Sequence, residues 1–256
     1  MSIWDTIILG ALEGFTEFLP ISSTGHLILA AELLGLPSTE FLKSFQIAVQ
    51  LGAIAAVLLL YFRSFLSIEL LKKLFVAFLP TGLVGFLVYP YVKGFLLGNS
   101  LMVVLSLFVG GVALIVFELL HKEKWSDAID LKEISYKQAA LVGLFQSIAI
   151  IPGVSRSAAT IVGGLLVGLP RVSIVEFSFL LAVPTMVAAT GYDLLKSAHA
   201  FSAGDAELMV IGFIVSFIVA LASMKLLLTL VKRFSFIPFG IYRIIVAVLF
   251  FVVVIL

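Results

Sequence analysis

Six stretches of this chain are apolar over about the length a helix needs to cross a bilayer: about residues 41–62, 71–91, 99–121, 174–195, 206–231 and 238–256. A spanning helix takes roughly 20 such residues. Composition agrees. The chain is 62% hydrophobic and 12% charged, against about 25% charged in a soluble domain. The expectation is an all-α integral membrane protein with one membrane domain over residues 1–256. No soluble domain is evident, and the longest polar stretch, around residues 122–137, is expected to be a loop. The start, Met1-Ser2-Ile3-Trp4-Asp5, lacks the basic region and the cleavage site of a signal peptide, so the mature chain is expected to keep every residue.

Two segments do not fit simple spans. Residues 3–35 are interrupted by Pro20-Ile21-Ser22-Ser23-Thr24-Gly25, and residues 135–168 by Pro152-Gly153-Val154-Ser155-Arg156-Ser157. Irregular backbone at membrane depth is tolerated only where protein or a water-filled cavity surrounds it. Both segments are therefore expected to be re-entrant helix–loop–helix hairpins; a kinked spanning helix is the plainer alternative.

Charge segregation favours the hairpins. If both return to the side they enter from, Arg63, Lys72, Lys73, Lys122, Lys124, Lys132, Lys137, Arg171, Lys232 and Arg233 share one side. Lys43, Lys93 and Lys196 remain opposite. The crowded side is then cytoplasmic, and both termini lie outside.

The spacing also repeats internally. Residues 13–22 overlay on 146–155, and Phe45-Gln46-Ile47-Ala48-Val49 overlays on Phe177-Ser178-Phe179-Leu180-Leu181 with one gap. Each half, about residues 1–121 and 135–256, would hold one hairpin and three spans, inserted with opposite orientation. Inverted repeats place a site near the midplane, where broken helix ends meet.

The first interruption carries unusual chemistry for a membrane segment. Glu13 and Glu17 are four residues apart and share a helix face. Two neighbouring carboxylates in lipid need a cation or a shared proton, and Mg²⁺ commonly takes one or two carboxylates plus water and phosphate oxygens. A solvated pair at a helix end is the alternative. Ser22, Ser23 and Thr24 fall where the second arm begins, which is N-cap territory. Capping needs one hydroxyl, and here three follow in a row. His26, one turn beyond Ser23, can serve as base, acid or nucleophile.

The second interruption, Pro152 to Thr160, starts a new helix whose free N–H groups attract anions. Ser155, Ser157 and Thr160 add donors. Arg156 adds a planar fork suited to phosphate. An intramembrane Arg needs an anionic partner, either a substrate phosphate or Glu13 and Glu17. If the two tips meet, they assemble an inventory for phosphoryl transfer. Gln46, Gln50 and Glu176 are expected to line the cavity. Glu118, Lys225 and Arg243, near span ends, are expected to snorkel. Asp193 is a further polar residue within a span, and the 23 Phe residues are assigned to packing and lipid contact.

Other classes are excluded. A net charge of +1 offers no basic face for nucleic acid. The absence of cysteine removes thiolate chemistry and Cys-ligated metals, and no nucleotide, haem or flavin motif is present.

On these motifs the chain resembles the bacterial undecaprenyl-diphosphatase family (BacA/UppP, the bacitracin-resistance proteins). The likeness rests on Glu13-Gly-Phe-Thr-Glu17, on Phe18-Leu-Pro-Ile-Ser-Ser-Thr-Gly-His26 and on Pro152-Gly-Val-Ser-Arg-Ser-Ala-Ala-Thr160. Glu176-Phe-Ser-Phe-Leu-Leu-Ala-Val-Pro184 and Phe236-Ile-Pro-Phe-Gly-Ile-Tyr-Arg243 are similar too, so the resemblance covers essentially the whole chain. Ala158 stands where the family usually has Gly. The resemblance implies six transmembrane helices and two re-entrant hairpins in an interdigitated inverted-topology repeat. It implies hydrolysis of undecaprenyl diphosphate to undecaprenyl phosphate and inorganic phosphate in the plasma membrane, with divalent-cation dependence (Mg²⁺ or Ca²⁺) and bacitracin tolerance. By motif position, Glu13, Glu17, Ser23, His26 and Arg156 are catalytic, with Glu13 and Glu17 holding the metal. Ser22, Thr24, Gly153, Ser155, Ser157 and Thr160 contact the diphosphate. Partners are then the polyprenyl diphosphate and membrane lipids, with a homodimer left open.

The working mechanism has Ser23 attack phosphorus with His26 or Glu17 as base; direct attack by water and phosphorylation of His26 are its alternatives. A different class, a transporter or flippase of a polyprenyl phosphate, would use the same cavity without needing a nucleophile. A purely structural scaffold leaves the buried Arg and Glu unexplained.

Overall fold

Short polar signals set the helix starts, and they recur in the two halves of the chain. Helix α1 (Ile3–Thr16) begins behind Ser2, which forms a capping box with Asp5. Helix α7 (Tyr136–Ser147) begins behind Ser135, which forms one with Gln138. In both, serine and its partner satisfy reciprocal backbone N–H groups that the helix leaves open. The second arms begin alike: Ser22 caps α2 (Ser23–Leu33) and Ser155 caps α8 (Arg156–Leu166). Ser22 has φ 70° and Ser155 φ 80°, the only positive φ values of non-glycine residues among the described residues.

The computed structural model describes residues 1–96, 99–121, 128–197 and 203–255. Among them every regular element is helical. Beyond the two broken segments come α3 (Glu40–Ala48) and α4 (Gln50–Leu60), joined through Val49, then α5 (Ile68–Tyr91) and α6 (Ser100–Leu120). After the second broken segment follow α9 (Arg171–Ser197), α10 (Ala203–Val231) and α11 (Ile237–Phe250). Five runs are long and apolar enough to cross a membrane: Glu40–Leu60, Ile68–Tyr91, Ser100–Leu120, Arg171–Lys196 and Asp205–Val231. The sixth expected span is shorter, Ile237–Val253. Of the polar stretch expected as a loop, a 3-10 turn at Leu131–Glu133 precedes α7, and Lys137 already lies within that helix. Lys122, Lys124 and Leu256 lie outside the described residues.

Burial is inverted relative to a soluble protein. Leu83, Phe86, Leu119 and Leu120 are exposed, whereas Glu13, Arg156, Asp193 and Arg243 are buried. Only an apolar solvent makes that arrangement favourable. Together with the long apolar helices, this marks a multi-pass membrane protein.

The packing is reciprocal between the halves. The first hairpin arm, α1, lies on α10, and the corresponding arm α7 lies on α5. Helix α4 packs on α10 and α9 on α5, while α6 pairs with α11. Close approach of α1 to α10 depends on Gly14, where any Cβ would run into the Ser216 carbonyl. Phe18, Phe177, Phe179 and Phe236 fill the centre of the core, as the packing role for phenylalanine requires.

Two side chains expected to snorkel do not. Glu118 accepts from Arg171 Nη2 at 2.9 Å, with both side chains largely buried. Arg243 is fully enclosed. In each case polar partners inside the protein take up the charge. Lys225 is exposed, as expected.

Candidate active site

The two interruptions meet. Ser157 Oγ donates to the Phe18 carbonyl at 2.7 Å. Arg156 Nη2 donates to Glu17 Oε1 at 2.7 Å. Helix α1 ends at Thr16, so Glu17 stands at its C-cap and Pro20 lies in the turn that follows. Ser23 is the first residue of α2 and Arg156 the first of α8. The sharp turns at Ser22 and Ser155 thus deliver the Ser23 hydroxyl and the Arg156 guanidinium to one place.

Glu17 is the centre of the arrangement. Its second oxygen, Oε2, accepts from Ser23 Oγ at 2.5 Å. Arg156 also donates through Nη1 to the Ser178 carbonyl at 2.8 Å and to Ser178 Oγ at 3.1 Å. Its Nε has no hydrogen-bond partner. The Glu13 carboxylate lies near Glu17, Ser23 and Arg156. Glu13 is 0% exposed, and neither of its carboxylate oxygens has a hydrogen-bond partner.

A cavity of about 640 Å³ opens beside these groups. Glu17, Ser22, Ser23, Thr24, Gly153, Ser155 and Arg156 line it, together with Gln50, Thr81 and Gln146. The remaining wall includes Phe78, Leu83 and Phe86 of α5 and Met186 and Tyr192 of α9. Such a cavity accepts a charged group at one patch and a hydrocarbon elsewhere. Ser22 and Ser155 accept from Gly25 N and Ala158 N, which leaves each hydroxyl proton free to donate.

Several expected residues stand elsewhere. Ser157 holds the tips together and Thr160 sits 2.6 Å from Ser178 Oγ; neither lines the cavity. Gln46 donates to the Leu27 carbonyl, and Glu176 accepts from Tyr61 at 3.4 Å in a separate, smaller cavity. Of the three residues expected to line the main cavity, only Gln50 does. His26 does not meet Ser23. Its Nδ1 is 2.8 Å from the Ser22 carbonyl, which can only accept, so Nδ1 carries a proton. Its Nε2 is 2.9 Å from Tyr242 Oη, and the two rings stack. Ala158 has no positive φ, so a methyl group is tolerated there.

Three residues of this assembly were given no site role by the sequence: Ser178, Tyr242 and Arg243. Ser178 lay in the overlay and in the Glu176–Pro184 stretch, neither of which assigned it a role. Arg243 carried a signal, because an ionisable residue inside an apolar run is a functional candidate by default; nearness to an expected span end masked it.

A family model described as bacitracin resistance protein BacA matches residues 6–249. The chain belongs to the BacA family. Among BacA-like relatives, an undecaprenyl-diphosphatase of Sulfurihydrogenibium sp. is 51% identical over 251 residues, covering 98% of this chain and 99% of the relative. One of Aquifex aeolicus is also 51% identical, covering 98% of each chain. One of Thermus thermophilus is 48% identical, covering 98% of this chain and 97% of the relative.

Proposed function

We propose that this chain hydrolyses undecaprenyl diphosphate to undecaprenyl phosphate and inorganic phosphate, recycling the lipid carrier of peptidoglycan and cell-wall synthesis. One observation carries the proposal: Ser23 Oγ, both Glu17 oxygens and Arg156 form a continuous hydrogen-bonded chain in the wall of a largely apolar cavity. The relatives named undecaprenyl-diphosphatase support the same activity.

The chemistry follows from that chain. The diphosphate enters with its polyprenyl tail against the apolar wall. Arg156 turns from Glu17 to the terminal phosphate, and Ser22, Thr24, Ser155 and the open N–H groups of α8 near Gly153 add donors. Ser23 Oγ attacks the terminal phosphorus as its proton passes to Glu17. The bond to the bridging oxygen breaks, Glu17 passes the proton on to that oxygen, and undecaprenyl phosphate leaves. Water, deprotonated by Glu17, then cleaves the phosphoserine and releases inorganic phosphate. Glu17 is favoured over His26 as base, since Glu17 touches the serine and both His26 ring nitrogens are engaged.

Glu13 and Glu17 would hold a divalent cation, Mg²⁺ or Ca²⁺. The fit rests on the two enclosed, unpartnered oxygens of Glu13 and on Glu17 Oε1, which Arg156 vacates as it turns to phosphate. Among the described residues no cluster of three His, Asp or Glu could hold a metal, so water and phosphate oxygens would complete the shell, as is common for Mg²⁺. When bound, the cation would neutralise diphosphate charge.

The architecture proposed is six spans with two re-entrant hairpins in an interdigitated inverted repeat, residues 1–121 and 135–256. Supporting it are the reciprocal packing of α1 on α10 and α7 on α5, and the matching caps and φ values of Ser22 and Ser155. Charge segregation supports termini outside and a site opening to the outer side of the plasma membrane. A homodimer is compatible with all of this, and the mass of the detergent-solubilised particle measures it.

The deciding experiment is phosphate release from undecaprenyl diphosphate by detergent-purified protein, with and without EDTA, beside Arg156→Ala. Release that requires both metal and Arg156 is expected. Well-folded protein that releases none, with lipid and metal supplied, would overturn the proposal.

A further inference from the structure

We propose that Arg243 is a positioning residue that fixes the two hairpin tips relative to each other, and so sets Ser23 against Arg156. The proposal rests on the hydrolase assignment for its kinetic consequences and on geometry alone for its structural ones.

One guanidinium reaches three backbone carbonyls. Arg243 Nη2 donates to Gly153 O at 2.8 Å and to Ser106 O of α6 at 3.2 Å, while Nη1 donates to Pro20 O at 3.4 Å. Pro20 and Gly153 occupy the same place when residues 13–22 are overlaid on 146–155. Arg243 therefore grips the equivalent peptide of both hairpins. Each gripped peptide lies three residues before a working group: Pro20 before Ser23, Gly153 before Arg156. Between them stand Ser22 and Ser155, whose positive φ values persist only where surroundings over-determine the backbone.

The side chain is fully enclosed and does not line the cavity, so it acts through the tips rather than on substrate. Among the described residues no carboxylate pairs with it; its charge is met by carbonyl dipoles. A rigid planar fork can serve several acceptors at once, whereas an ammonium on a flexible stem cannot hold the same set. Room for the fork comes from Gly110 of α6, where any Cβ would strike Nη2. The neighbouring Tyr242 reinforces the same junction by bonding His26 of α2.

The test compares wild type with Arg243→Lys and Gly110→Ala. The second variant leaves the arginine intact and pushes it aside, and alanine is otherwise the better helix residue. Both are expected to melt near the wild-type temperature and to keep KM within about threefold. Both should lose kcat by about 10²-fold, the scale of a roughly 1 Å misplacement of reacting groups. Hydrogen exchange at peptides spanning residues 18–25 and 151–158 should accelerate in both hairpins together. Wild-type turnover in either folded variant, a loss confined to KM, or faster exchange at one tip only would overturn the proposal. If wild type itself releases no phosphate, the hydrolase assignment fails, and the exchange measurement still decides the clamp.

Discussion

Ser23 Oγ and Glu17 Oε2 stand 2.5 Å apart across the turn that ends α1 and starts α2, with the serine as donor. The hydroxyl therefore faces its proton acceptor before any substrate arrives. General-base catalysis of this kind contributes about 10²- to 10⁴-fold. Glu17→Gln should lower kcat within that range. Ser23→Ala should abolish phosphate release while the lipid diphosphate still binds, as measured by equilibrium binding beside the release assay. Near-normal release by Ser23→Ala would rule the serine route out.

Arg156 serves Glu17 on one nitrogen and Ser178 on the other. Lysine keeps the charge and loses the fork. Arg156→Lys is expected to lose about 10- to 100-fold in kcat/KM, the equivalent of one charge-assisted hydrogen bond. A Michaelis series on the purified variant measures it, and an unchanged kcat/KM would remove Arg156 from phosphate recognition.

The caps at Ser22 and Ser155 make separable contributions. Replacing either by Ala removes the bond to Gly25 N or Ala158 N and leaves a methyl-bearing residue at positive φ. Each Ala variant should lose about 1–2 kcal/mol, and each Gly variant only a few tenths. Denaturation in matched detergent tests the order; Ala above Gly in stability would contradict the strain argument.

The Arg171–Glu118 pair is remote from the chemistry and largely buried. Glu118→Ala removes one charged hydrogen bond from a buried guanidinium and should cost about 1.5–3 kcal/mol, whereas the double change Glu118→Leu with Arg171→Met should recover part of that loss. Thermal melts of the single and double variants distinguish the two. Phosphate release by the folded double variant should match wild type.

The pattern that was legible in the sequence is the one that lipid enforces. Long apolar runs, Pro-Gly breaks and hydroxyl-rich caps marked interruptions around residues 20–25 and 152–157, and the helices break close by, at residues 17–22 and 151–155. The pairing of Arg156 with a carboxylate was legible for the same reason. Rotamer-level facts were not. His26 lies one turn from Ser23 in sequence, yet its ring turns to Tyr242, a partner more than 200 residues away. Thr160 and Ser157 read as phosphate donors, but backbone and Ser178 oxygens lay nearer. Arg243 shows the limit of arguments from span ends: its guanidinium turns to three carbonyls supplied by distant parts of the chain.

Because Arg156 already holds Glu17, every ligand must win that guanidinium in competition with a built-in anion. A diphosphate brings enough charge to displace the carboxylate; the lipid monophosphate left after cleavage brings less. The contest then tips back as soon as the reaction is over. On the proposed route Glu17 would reclaim Arg156 and favour release of the product, so turnover need not stall on a carrier lipid that differs from the substrate by a single phosphate.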